Sequence, residues 1–368
     1  MQVAPTSPVK SPLLSGLNDE QLAAVTTTDG PVLIVAGPGS GKTRVLTVRV
    51  AHLIQNQGLA PWNVMAVTFT NKAAREMRER VEALVGDRAR WVQLGTFHAF
   101  CARTLRQHGE RIDIDQRFVI YDDGDQMSAV KATMDALDIS TRHFSPRAVL
   151  SAISKAKSQN IGPSAFTRSV ESYFEEVVAR IYPRYQETLH RRKALDFDDL
   201  LSSTVKLLHE SPETLDALRQ RHQYILVDEY QDTNRIQYLM VKELAETHRN
   251  LCVVGDPDQS IYGWRAADIR NILTFKEDFP EAVEIHLEEN YRSTPQILGA
   301  ADAVIRENTQ RIDRRLRTSN QAGERIVVKE LFDEGQEAQF VVSELTRLKN
   351  EFGYSGSDIA VLYRTNWQ

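Results

Sequence analysis

The stretch AGPGSGKT, residues 36–43, constrains this chain more than any other. The apolar run PVLIV precedes it, and RVLTVRVAHLI, with apolar residues at helical spacing, follows. Strand, glycine-rich turn and helix in that order make an anion cradle, in which backbone N–H groups and a helix N-terminus converge on phosphates. Gly37, Gly39 and Gly41 allow the close approach, with Pro38 and Ser40 between them, while Ala36 stands where the strict pattern has glycine; the turn asks only for a small residue. Lys42 supplies a charge for β/γ oxygens and Thr43 a hydroxyl for Mg²⁺. The expected ligand is a nucleotide, held by its phosphates.

Such a loop needs a parallel sheet to hold it. Near-uniformly apolar runs recur as PVLIVA at 31, VMAVTFT at 64, VQLGTF at 92, YILVDE at 224, LCVVGD at 251 and VEIHLE at 283, separated by helical segments. Uniform apolarity is what strands covered on both faces require. In YILVDEYQDTN the strand ends on Asp228, placed to hold Mg²⁺, and on Glu229, placed to activate water against a γ-phosphate. Asp256 and Asp258 in VVGDPDQ follow another strand of this kind, where Gln259 can sense a γ-phosphate or position water.

Between Thr96 and Tyr224 the alternation stops and spacings of three and four take over, so an all-helical insertion is expected. The net charge of −5 hides an uneven distribution. Residues 101–193 hold 15 Lys/Arg against 12 Asp/Glu, and Ile139 to Val170 carry Arg142, Arg147, Lys155, Lys157 and Arg168 with no acid. That run suits phosphates or, equally, a solvated helical face. At 368 residues two or three domains are expected. No apolar run reaches the length of a membrane span, and no signal segment opens the chain, whose Pro/Ser-rich start reads as a loose tail. Cys101 and Cys252 have no metal-ligand spacing and read as buried thiols in a reducing cytoplasm.

Hydrolysis alone does not name the work done. Aromatics sit beside the candidate loops: Phe69 in VTFTNKAAREM, Phe97 and His98 in GTFHAF, Tyr262 and Trp264 in SIYGWRAAD. Each ring read singly is also a core candidate, but unpaired bases stack on such rings at roughly 1–3 kcal/mol each. Asn71, His98 and Arg265 can hold phosphates.

LNDEQLAAV, AGPGSGKT, TFTNKAAREM, GTFHAF, LDFDDLL, VDEYQDTN, VVGDPDQSIYGWRAA and LEENYRST appear in the order seen in superfamily-one DNA helicases of the UvrD/PcrA/Rep type, which the chain resembles from Leu17 onward. The resemblance implies an α/β fold: a RecA-like parallel-sheet P-loop motor domain at 17–108 and 194–283, after a flexible tail at 1–16. It places a DNA-contacting helical insertion at 109–193, and the first part of a second RecA-like domain at 284–368. There ERIVVKELF and DIAVLYRTN are expected as strands around the helical EAQFVVSELTRLKNEF.

By the same likeness Gln21 reads the adenine edge, Arg44 and Tyr291 pack on the base, and Arg292 is the arginine finger. Phe69, Tyr262 and Trp264 line a single-strand track, and ISKAKSQNIGP, with Lys155 and Lys157, contacts DNA. The implied activity is ATP- and Mg²⁺-dependent 3′→5′ translocation on single-stranded DNA and unwinding at single-strand/duplex junctions, in the nucleoid-associated cytoplasm, with repair or replication proteins as partners. The family's later motifs, with a second catalytic arginine, do not occur up to Gln368, which implies an N-terminal half. Two other readings stay open: an ATP-gated single-strand-binding module that does not unwind, and a helicase subunit of a helicase–nuclease.

Overall fold

The computed structural model describes residues 11–309, 311–312 and 314–365, with the side chain of Arg265 left aside. In chain order its elements are α1 (Asp19–Thr26), β1 (Val32–Ala36), α2 (Lys42–Gln55), β2 (Val64–Thr68), α3 (Asn71–Val85), β3 (Gln93–Thr96) and α4 (Phe97–His108). There follow β4 (Val119–Ile120), α5 (Asp123–Ala136), α6 (Pro146–Ser158), α7 (Pro163–Arg168), α8 (Tyr173–Arg191), β5 (Ala194–Leu195), α9 (Phe197–Glu210) and α10 (Pro212–Arg221). Then come β6 (Tyr224–Val227), α11 (Arg235–Ala245), β7 (Leu251–Gly255), α12 (Arg270–Leu273), α13 (Phe275–Asp278), β8 (Val283–Leu287), α14 (Pro295–Ile305) and α15 (Glu334–Phe352).

All six apolar runs form one parallel sheet in the order β3-β2-β6-β7-β1-β8. Their apolarity has a simple cause. Leu33, Val35, Met65, Val67, Ile225, Val227, Leu251 and Val253 face one core, shared with α4, α9 and α11. The alternate residues Val32, Ile34, Val64, Ala66, Leu226, Cys252 and Val254 face the other, shared with α2 and α3. In these four strands, with both faces buried, period-two alternation has no polar member to show, whereas the edge strand β8 alternates, with Ile285 and Leu287 buried and Glu284 and His286 half-exposed.

The insertion has a core of its own, in which Val130, Met134, Val149, Ile153, Val178, Ile181, Tyr182 and Tyr185 pack from α5, α6 and α8. It is not wholly helical. β4 and β5 pair in parallel at its root, Val119 with Ala194 and Ile120 with Leu195. Two residues per strand carry too little periodicity to be read from sequence.

Two expected bounds fall within packed structure. The cut between 283 and 284 falls inside β8, which completes the sheet edge beside β1. Compactness instead divides the chain into Met1–Gln321 and Ala322–Gln368. Of the expected tail, residues 1–10 lie outside the described residues, whereas Pro12–Leu14 form a 3-10 turn whose Leu13 and Leu14 pack on the sheet-domain core.

In the second unit α15 forms as its spacing predicts. Among the described residues, ERIVVKELF and DIAVLYRTN form no strand. A strand is defined by a ladder partner, and neither run has one there, with Val328 and Leu362 each 92% exposed.

Candidate nucleotide and nucleic-acid site

The phosphate loop leaves β1 and enters α2 through Gly39 at φ 65° and Gly41 at φ 88°, left-handed values that side chains disfavour. Gly41 is the N-cap of α2 and brings no side chain to the first-turn N–H groups, so these stay open to an anion. Ser40 Oγ donates to Gly37 O at 2.7 Å and fixes the turn. Lys42 Nζ lies 3.2 Å from Glu229 Oε2.

Asp228 and Glu229 leave the C-terminal end of β6 at the centre of the sheet. Glu229 is held at φ 50°, a conformation that a non-glycine residue keeps only where its surroundings enforce it. Its Oε2 accepts from Lys42 and from Gln231 Nε2 at 2.9 Å. Asp228 is 4% exposed, and burial, reinforced by the neighbouring Glu229 charge, pushes its carboxyl up to about 7.

A buried acid in this condition fits a divalent cation, whose charge would favour the ionised form. Among the described residues no group of three or more His, Cys, Asp or Glu side chains is placed to hold a metal.

Residues 288–292 and 314–318 lie over this loop. Asn290, 1% exposed, donates to Pro38 O at 2.6 Å and accepts from the N–H groups of Arg292 and Ser293. A Cβ on Gly39 would come 2.7 Å from that of Arg292, and one on Gly37 would overlap Leu316. Arg292 therefore starts beside the phosphate cradle.

Gln21 is buried and belongs to the capping box of α1. Its amide N–H donates to Ser40 O at 2.9 Å, and its oxygen accepts from Asn18 N at 3.3 Å. One amide hydrogen is left for a base edge. Arg44 donates to Gly16 O at 3.1 Å, and the half-exposed Tyr291 accepts from Asn18 Nδ2 at 2.9 Å. These side chains rim the same mouth.

The aromatics separate into two groups. Phe69 stacks on Tyr262 with ring centres 5.4 Å apart, and Tyr262 meets Trp264 at 6.2 Å. Trp264 is 72% exposed. Asn71 is exposed at the start of α3. His98 is half-buried against Phe197, and burial lowers its pKa, so it is neutral near pH 7 and offers hydrogen bonds or stacking rather than charge.

Two expected DNA contacts are corrected. Phe97 is 2% exposed in the sheet-domain core, the place its apolar ring takes at the first turn of α4. Lys157 is equally buried. Its ammonium lies 2.6 Å from Asp196 and 2.7 Å from Asp199, so its charge is spent inside the protein. Lys155, Arg142, Arg147 and Arg168 are exposed.

The residues that reading by motif missed are connectors. Gln231 joins Glu229 to the loop after β7, accepting from Asp256 N at 3.0 Å. Asp196 and Asp199 form the capping box of α9 and the seat of Lys157; the capping spacing in LDFDDLL was visible, the lysine partner was not. Phe197, 47% exposed beside His98, was in view within the same motif.

Residues 17–280 match the family model of the UvrD/REP helicase N-terminal domain, and residues 285–368 match that of the UvrD-like helicase C-terminal domain. The chain belongs to the UvrD/REP helicase family. It is similar to the ATP-dependent DNA helicases PcrA of Bacillus subtilis (strain 168), 49% identical over 360 residues, and Staphylococcus aureus (strain Mu50), 49% identical over 356. These alignments cover 98% and 97% of this chain and 49% of each relative, so the chain spans about half the length of the curated relatives it matches. The sheet described above is the α/β RecA-like fold of this helicase family.

Proposed function

We propose that this chain carries the ATP-hydrolysing and part of the DNA-gripping machinery of a helicase that translocates 3′→5′ on single-stranded DNA and unwinds duplex at single-strand/duplex junctions in repair or replication. The observation that carries this reading is continuity. The loop after β7 runs from Asp256 and Gln259 to Tyr262 and Trp264, and Phe69 from the end of β2 stacks on the same ladder. A nucleotide-sensing side chain and a base platform thus share one short loop.

In this reading the backbone N–H groups of Gly39, Gly41 and Lys42 and the Lys42 ammonium orient the phosphates, releasing Lys42 in part from Glu229. Asp228 and Thr43 would hold magnesium, which supplies charge against the β/γ oxygens. Glu229, freed of that ion pair, takes the proton of the attacking water, Gln259 registers the γ-phosphate, and Arg292 approaches it from the covering segment. Closure around ATP shifts the loop after β7, and Tyr262 and Trp264 change their hold on stacked bases. Exposed Lys155, Arg142, Arg147 and Arg168 attract the phosphate backbone without reading sequence.

The test is Trp264→Ala. Oligo-dT affinity is expected to fall by roughly five- to a hundredfold, the worth of one stacked base, with affinity for an ATP analogue held. Equal losses of both would remove the base-platform role.

A further inference from the structure

Arg314 comes from the segment that covers the phosphate loop, yet its side chain is only 4% exposed. It lies 2.6 Å from Asp256 Oδ1 and 2.9 Å from Asp258 Oδ2, two carboxylates on the loop after β7. Asp256 is fully buried. Its second oxygen accepts from Gln259 Nε2, and its own N–H donates to Gln231, whose amide reaches Glu229.

Arg314 is therefore two contacts from the candidate γ-phosphate sensor Gln259 and three from the candidate base Glu229. Its neighbours tie the same segment to the rest of the cleft. Arg317 pairs with Glu20 of α1 at 2.6 Å and with Glu289 at 3.1 Å, and Thr318 donates to Asn290 O at 2.7 Å.

We propose that Arg314 is a positioning residue that couples the segment bearing Arg292 to Gln259, acting through Asp256. The inference rests on the helicase reading above and assigns a part to a side chain whose partners are two carboxylates of the loop after β7. Two neighbouring buried carboxylates repel each other, and each is costly without a cation. With Arg314 in place, Asp256 shares its charge with a guanidinium, so the Gln259 amide can leave it for a phosphate oxygen. Without Arg314, the Gln259 amide becomes the main compensation for Asp256 and stays bound there. Movement of the covering segment then no longer reaches the loop that carries Tyr262 and Trp264.

The experiment measures the coupling factor, the ratio of oligo-dT dissociation constants with and without a non-hydrolysable ATP analogue and Mg²⁺. It compares wild type, Arg314→Gln, Arg314→Lys, Gln259→Ala and the double variant, with melting temperature and analogue affinity recorded for each. Arg314→Gln is expected to bring the factor to near one while analogue affinity in the absence of DNA stays within about threefold. Arg314→Lys, which keeps the charge, is expected to retain much of it. In the Gln259→Ala background, Arg314→Gln is expected to change nothing further. A wild-type factor in Arg314→Gln, or an undiminished additional loss on top of Gln259→Ala, would overturn the proposal. Lowered melting with parallel loss of analogue binding in both Arg314 variants would overturn it in favour of a purely structural role. A factor of one in wild type sinks the helicase reading itself, before any variant is compared.

Discussion

Two lysines of this chain each face acidic side chains, and the two sites do opposite work. Lys42 stands at the mouth of the phosphate loop, 3.2 Å from a single oxygen of Glu229, whose side chain keeps a third of its exposure. Lys157 stands 2% exposed between Asp196 and Asp199, with Tyr185 Oη donating to Asp196 at 3.0 Å and Gln186 to Asp199 at 3.0 Å. The first pair can be opened by an incoming phosphate, which competes for the ammonium. The second is closed on all sides and joins α6 of the insertion to the first turn of α9. A lysine in a basic run is thus a ligand contact or an internal strut according to burial and the number of acids facing it.

The comparison breaks most sharply at Glu229. Glu229→Gln keeps a hydrogen-bonding partner for Lys42 but removes the base, so hydrolysis is expected to fall by about 10²–10⁴-fold with ATP-analogue affinity retained. Phosphate-release kinetics beside analogue titration check this, and unchanged turnover would remove Glu229 as base.

At the closed site the expected loss is in stability. Lys157→Met leaves two buried carboxylates without their cation and is expected to cost about 3–5 kcal/mol by denaturant melts. Lys155→Ala, two residues away and exposed, is expected to leave the melt unchanged and weaken oligo-dT binding only a few-fold, with a salt slope lower by about one. A Lys157 variant that melts normally but binds DNA poorly would reverse the two assignments.

A smaller effect is expected from pH. Burial and the adjacent Asp196 push Asp199 up to about 7, against the opposing pull of Lys157. A raised carboxyl contributes stability that is full below its unfolded value near 4 and is lost as pH rises through about 7. Wild type is therefore expected to lose roughly 2–4 °C between pH 6 and 8 from this group, and Asp199→Asn to lose that part of the dependence. Asp196 shifts downward, because Lys157 outweighs its burial, so its contribution changes only at lower pH. An identical pH 6–8 dependence in wild type and Asp199→Asn would show that Asp199 is not held above the ordinary carboxylate range.

The same contrast explains what could be read beforehand. The sheet was readable because its central strands are buried on both faces and four of them, β1, β2, β6 and β7, run into residues that only a strand-end loop uses: AGPGSGKT, TFTN, VDEYQ, GDPDQ. That Asp228, Glu229 and Lys42 come together at one sheet edge was readable because local order at two strand ends sets it. Lys157 misled because its partners lie 39 and 42 positions on, and charge patterning says nothing of burial. Phe97 misled because GTFHAF presents two adjacent rings, of which the turn into α4 sends one inward. Gln231 and Arg314 escaped notice because a buried polar connector is recognisable only from both of its ends.

The central claim is that nucleotide held at Lys42 and Asp228 governs the grip at Tyr262 and Trp264. Fluorescence anisotropy of a labelled oligo-dT with this chain, titrated with and without a non-hydrolysable ATP analogue and Mg²⁺, tests it most directly. The account predicts that the oligonucleotide binds and that its dissociation constant shifts with nucleotide. An analogue that binds while the oligonucleotide either fails to bind or binds with the same constant throughout would contradict it.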